Sequence, residues 1–195
     1  EIYLRTAGAY STLGWFRDPV LPGMLTWEDA RLANTVLHEL AHATLWIKGS
    51  VSFNESFASF VGDKAAFAYL ADRFGKDAPE YQRAVRRDND LHQWRLLLQE
   101  LYKELDAVYT DPSLSDEQKR NHRTRIYASI RERVGDAAFH EPERFEAAAA
   151  KGPWNNARLM QYRTYNTKTE LFDAVFHRHN NDLLQFIAAI DRITK

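Results

Sequence analysis

A helical period runs through residues 26–48, where Trp27, Ala30, Leu32, Ala33, Val36, Leu37, Leu40 and Ala41 supply a broad apolar face. Inside it stands His38-Glu39-Leu40-Ala41-His42. Two imidazoles and a carboxylate within five residues of a mostly apolar helix are costly unless a metal ion or a hydrogen-bond network satisfies them. The chain must therefore fold so that other donors or an ion meet this one stretch. Thr26 and Asp29 resemble a capping box at the helix start, and Lys48-Gly49-Ser50 reads as its end.

His38 and His42, four positions apart, share a helix face and can grip a single zinc ion. Glu39, one residue round from His38, leans toward a water on that metal. A hydrolytic zinc site needs a third protein ligand and a free position for water. Glu55 is the expected third ligand. From His42 to Lys48 the helix would overshoot the metal by about 9 Å. The seven steps on to Glu55 span about 20 Å when extended, so the return is possible. Asn54 reads as an N-cap, placing Glu55 in the first turn of a second helix that ends near Phe74, before Gly75. The positive end of that helix favours an ionised carboxylate. Ala58, Ser59 and Gly62 would let the two helices approach closely, while Phe57, Phe60, Val61 and Phe67 read as core. Ser59 and Asp63 lie one and two turns beyond Glu55, and Asp63 could accept the second ring N–H of a ligating His.

Cysteine is absent, so thiolate ligands and disulfides are excluded, leaving His and carboxylates to hold a metal. Twenty-six basic against twenty-seven acidic residues give no electrostatic reason for a nucleic acid partner. No apolar run approaches the length of a membrane span. The composition fits a single domain over residues 1–195, mainly α with a small β contribution (α+β). Residues 2–20 carry β-branched and aromatic residues punctuated by Gly8, Gly14 and Pro19, as in one or two short strands. Tyr10, Ser11 and Thr12 could form an edge that holds a peptide substrate by strand addition. Residues 78–135 read as a helical hairpin: a long first arm with Leu91, Trp94, Leu98, Leu101, Leu105 and Val108 at threes and fours, a turn at Asp111-Pro112-Ser113, and a capping box from Ser115 to Gln118 opening the return. Residues 154–193 read as two short helices, with apolar positions that include Leu159, Leu171, Phe172, Phe186 and Ile190.

The run from Ala9 to Leu21, the pentapeptide from His38 to His42, the run from Phe53 to Ala58, and Asn155-Asn156-Ala157-Arg158-Leu159 with Tyr165 and Phe172 together resemble the family of bacterial putative aminopeptidases, zinc metallopeptidases of the gluzincin type. The resemblance covers nearly the whole chain. It implies a zincin-like core in which His38, His42 and Glu55 bind one zinc ion and Glu39 is the catalytic base. It also implies that Tyr165 donates a hydrogen bond to the oxyanion; by residue type alone Tyr162, His177 and His179 are also eligible. Family members are longer, with a further N-terminal region and often a lipoprotein-type signal leading to the bacterial envelope or periplasm, so part of the domain is expected to precede Glu1.

The residues and the resemblance point to a zinc peptidase acting on a peptide or protein substrate. The rival is a metal-stabilised scaffold whose hairpin docks a partner. It would close the metal with a fourth side chain, for which His140, His177 and His179 are available.

Overall fold

In the structure, a computed structural model that describes residues 2, 19–164 and 169–194, the polar pentapeptide lies in helix α1 (Asp29–Thr44). This helix is shorter at both ends than its period suggests. Thr26 closes a 3-10 turn, Pro22–Thr26, by donating its hydroxyl to the Gly23 carbonyl at 2.9 Å, so it does not cap α1. Glu28, in extended conformation, precedes the first helical residue. At the far end the chain leaves the helix at Leu45, which is buried, well before Lys48-Gly49. The cause is Asn54. Its amide oxygen accepts the Ile47 N–H at 2.9 Å while its amide nitrogen donates to the Ile47 carbonyl at 2.8 Å, holding both backbone groups of that residue outside any helix. Gly49, at φ +80°, then makes the turn that an L side chain would strain.

Helix α2 (Val51–Phe74) begins three residues before Asn54, so Asn54 is an interior helix residue, 0% exposed, and not an N-cap. The helix ends at Gly75 as the sequence suggests, with φ +85°. One face of α2 presents Phe57, Phe60 and Val61 to Phe172 and Phe176 of α8 (Thr169–Arg178) and to Phe186 and Ile190 of α9 (Leu183–Thr194). The Phe60 and Phe186 rings approach to 4.9 Å between centroids. Each such fully buried ring contributes about 1.5–3 kcal/mol, so this cluster anchors α2 to α8 and α9, while its longest contact is with α1. The ion pair of Lys64 with Asp173, 2.9 Å long at the half-exposed rim, adds at most about 1 kcal/mol.

The described residues divide into two compact units, one of residues 19–84 with 164 and 169–194 and the other of residues 85–163 with Ile2. The second contains most of α3 (Pro79–Thr110), then α4 (Asp116–Ala128), α5 (Ile130–Asp136), α6 (Pro142–Ala150) and all but the last residue of α7 (Asn156–Thr164). Its core gathers Trp94, Leu98, Leu101 and Leu105 of α3 with Ile130 and Val134 of α5 and Phe145 of α6. The Asp111 carboxylate accepts both the backbone N–H and the hydroxyl of Ser113, and Ser115 and Gln118 form their reciprocal cap at the start of α4. The return arm breaks at Ser129, so it is two helices and not one.

Among the described residues the fold is mainly helical and contains no strand. The expected strands over residues 2–20, with the candidate edge Tyr10, Ser11 and Thr12, fall almost wholly outside the described residues. The last section holds three helices, α7 to α9, where the apolar pattern suggests two. Leu171, expected among the apolar positions of that section, is 63% exposed.

Candidate metal centre

The close passage of α2 across α1 builds the site. Glu55 lies in the second turn of α2, not the first, so the adjacent helix end contributes less to its charge than the spacing implies. What brings it to His38 is Gly62, two turns further along the same face. A methyl group placed on Gly62 would lie 3.1 Å from the Asn34 carbonyl oxygen and from His38 Cβ, and 3.2 Å from the His38 backbone nitrogen. With a Cβ here α1 would have to yield by a few tenths of an ångström, so glycine lets the two helices pass at their present distance. Ala58, also expected to ease the approach, is fully buried.

The result is a convergence of three donors. The Nε2 atoms of His38 and His42 lie 3.1 Å apart. One carboxylate oxygen of Glu55 is 3.7 Å from His38 Nε2 and the other is 3.5 Å from His42 Nε2. In a tetrahedral site with zinc–nitrogen bonds of about 2.0–2.1 Å, neighbouring donor atoms are roughly 3.3 Å apart. The observed separations bracket that value, so the donor set fits one zinc ion. No fourth His, Asp or Glu joins this group among the described residues. His177 spends its Nδ1 on the Asn181 side chain at 2.7 Å, and His140 Nδ1 lies 2.8 Å from Asp90.

Electrostatics favour ligation. Contact first with His38 and then with His42 holds the Glu55 carboxyl at about 2, against burial, which pushes it up. The group is thus ionised at any ordinary pH, the form a metal ligand needs. His42 is 5% exposed, and its Nδ1 has no hydrogen-bond partner among the described residues. Its ring is instead fixed by packing, edge to face against Trp46 at 5.4 Å. Trp46 lies beyond the end of α1, so the contact comes from the extended exit of the chain at Leu45 and not from helical spacing.

The remaining sequence candidates fall as follows. Glu39 is half-buried on α1 and makes no hydrogen bond or ion pair with any described residue. Ser59 is half-buried on α2, one turn past Glu55. Asp63 accepts a hydrogen bond from the Asn34 side chain at 2.7 Å, one turn before His38, and so ties α2 to α1 beside the donors. Tyr165, like Tyr10, Ser11 and Thr12, lies outside the described residues. His92 and His122 are exposed.

Asn155 and Arg158, two residues of the Asn155–Leu159 motif, act within the second unit. Arg158 is buried with its guanidinium 3.7 Å from the centre of the Trp154 ring, and it donates to the carbonyls of Lys151 and Ala148 at the end of α6. Asn155 accepts the Arg158 backbone N–H and so starts α7. Both are structural contacts, which motif matching alone does not distinguish from catalytic ones.

No curated protein and no solved structure matches this chain. The family described as "Putative aminopeptidase" matches residues 1–195, and the chain belongs to that family.

Proposed function

We propose that this chain is a zinc-dependent peptidase that hydrolyses peptide bonds with Glu39 as general base, acting as an aminopeptidase in keeping with its family. The observation that carries this reading is the meeting of His38, His42 and Glu55 at zinc-like spacing with no fourth such side chain among the described residues, which leaves room for water. When bound, zinc lowers the pKa of a water toward about 7 and polarises a peptide carbonyl. Glu39 takes the proton from that water, holds it on its carboxylate and delivers it to the departing amine. A half-buried carboxylate that is unpaired among the described residues, one helix position from a ligand, suits that shuttle. Trp46 and the packed face of α1 hold the His42 ring in its orientation. Asp63 positions α1 through Asn34. Tyr165 is proposed as the oxyanion's hydrogen-bond donor, and Tyr10, Ser11 and Thr12 as an edge for the substrate backbone. The scaffold alternative requires a closed donor set, and the three-donor cluster does not favour it.

The deciding experiment is Glu39→Gln. The variant should bind zinc with unchanged stoichiometry by elemental analysis while kcat falls about 10²–10⁴-fold, whereas His38→Ala or His42→Ala should lose the metal. A Glu39→Gln protein with undiminished peptide hydrolysis would remove Glu39 from the mechanism. Wild-type protein that fails to bind added zinc would remove the reading itself.

A further inference from the structure

The first unit contains a cavity of about 370 Å³, lined by Val51, Ser52, Phe53 and Ser56 of α2, the turns that flank Glu55, and by Leu171 and Phe172 of α8. Its size lies within the range of small-ligand pockets, roughly 300–1,000 Å³. Its position follows from helix geometry. Ser56 is the residue after Glu55, and Ser52 lies one turn before it, so both occupy the strip of α2 between the metal-facing side and the side that carries Phe53. The cavity therefore has a polar edge on the strip of α2 next to Glu55, the proposed third metal ligand, and an apolar wall opposite, formed by Phe53, Phe172 and Leu171.

Two of its lining residues are costly where they stand unless something covers them. Val51 is 55% exposed and Leu171 is 63% exposed, although both helices have buried faces in which such side chains would gain free energy. Phe172, by contrast, is buried and packs its ring against Phe53 and Phe57, giving the wall a fixed shape. A fixed aromatic floor with an apolar rim beside a polar edge suits one large apolar side chain whose backbone runs toward Glu55.

We propose that this cavity receives a bulky apolar side chain, of the Leu or Phe class, on the substrate residue beside the bond that is cut. The inference rests on the peptidase reading above and extends it to substrate class. Val51 and Leu171 are then specificity determinants and not catalytic residues, since neither reaches the reacting atoms.

The test has two arms. In the first, short peptides differing at one position among Gly, Ser, Leu and Phe are offered to the zinc-loaded protein and to Leu171→Trp and Val51→Trp, which alter exposed rim positions. The wild type should prefer Leu or Phe, and each Trp variant should lower the Leu-to-Gly ratio of kcat/KM about tenfold or more. A ratio unchanged in both variants overturns the proposal. The second arm does not depend on turnover. The chain has no Cys, so Leu171→Cys supplies a single thiol, whose alkylation rate is measured with trileucine or triglycine present. Protection by trileucine alone supports the pocket, and equal rates overturn it. Protection without any peptide hydrolysis by the wild type would leave the pocket standing and sink the peptidase reading instead.

Discussion

Gly62 shows how far a single missing side chain decides this molecule. In a helix interior Gly costs about 1 kcal/mol relative to Ala, and α2 carries that cost at the point where the His38 backbone passes. Gly62→Ala should recover that propensity yet meet two backbone atoms at 3.1 and 3.2 Å, so its net effect on stability is expected to be small. Gly62→Val adds branching that no rotamer can turn away from α1, and should cost about 2–3 kcal/mol. Chemical denaturation measures the stability. The informative second readout is zinc affinity, which should weaken in Gly62→Val because Glu55 moves away from His38 with the helix. A valine variant that is destabilised but binds zinc normally would show that the crossing and the donor set are independent.

At the scale of elements, the clearest dependence is one the sequence does not display. Asp90 of α3 is 1% exposed and accepts three hydrogen bonds at 2.8 Å, from the backbone and ring nitrogens of His140 and from the Glu141 N–H. It thereby fixes the two residues that lead into α6, whose N-cap residue, Glu141, makes no side-chain cap bond. Burial pushes the Asp90 carboxyl up, but the bonds from His140 and Glu141 outweigh it and leave the group below its ordinary value. A depressed carboxyl contributes stability above its unfolded pKa and loses it as pH falls toward the folded one. Acidification below about pH 4 should therefore weaken the attachment of α6, and Asp90→Asn, with nothing to titrate there, should show a shallower acid dependence. Asp90→Ala, which removes the acceptor of the His140 and Glu141 backbone N–H groups, should cost about 1–3 kcal/mol in denaturant titrations.

Asp90 is invisible in the primary structure because its partners are 50 and 51 positions away. The convergence of His38, His42 and Glu55 was legible for the opposite reason: the three are close in sequence, and the two histidines sit on a strong helical period. The Ser115–Gln118 cap and the stop at Gly75 were legible too, since caps are local chemistry. Helix boundaries near the site were not. Thr26 and Asn54 are both good cap residues, but each is diverted: Thr26 to the Gly23 carbonyl and Asn54 to the Ile47 backbone. A side chain with several possible local partners cannot be assigned to one of them by residue type.

For the molecule as a whole, two separate cores imply two responses to metal loss. A ligand that binds only the folded state at a thousand times its Kd stabilises by about 4 kcal/mol. All three donors belong to the unit that contains α1 and α2. Chelation should therefore accelerate amide exchange in Asp29–Thr44 and Val51–Phe74, and should leave the amides around Trp94, Leu101 and Ile130 as protected as before. Hydrogen exchange with and without chelator checks this. Uniform acceleration throughout the chain would mean that the two units unfold as one.

The connection between α1 and α2 is only Leu45 to Ser50, and Asn54 pins it from within. Loops of this length close in about 10–100 ns, far faster than a ribosome adds residues. A nascent polypeptide that has emerged as far as Phe74 already owns every proposed donor. On the zinc reading proposed above, the ion first captured would then be decided by whatever divalent cations surround the polypeptide during synthesis, because no later step in folding adds a donor from the described residues that could discriminate among them.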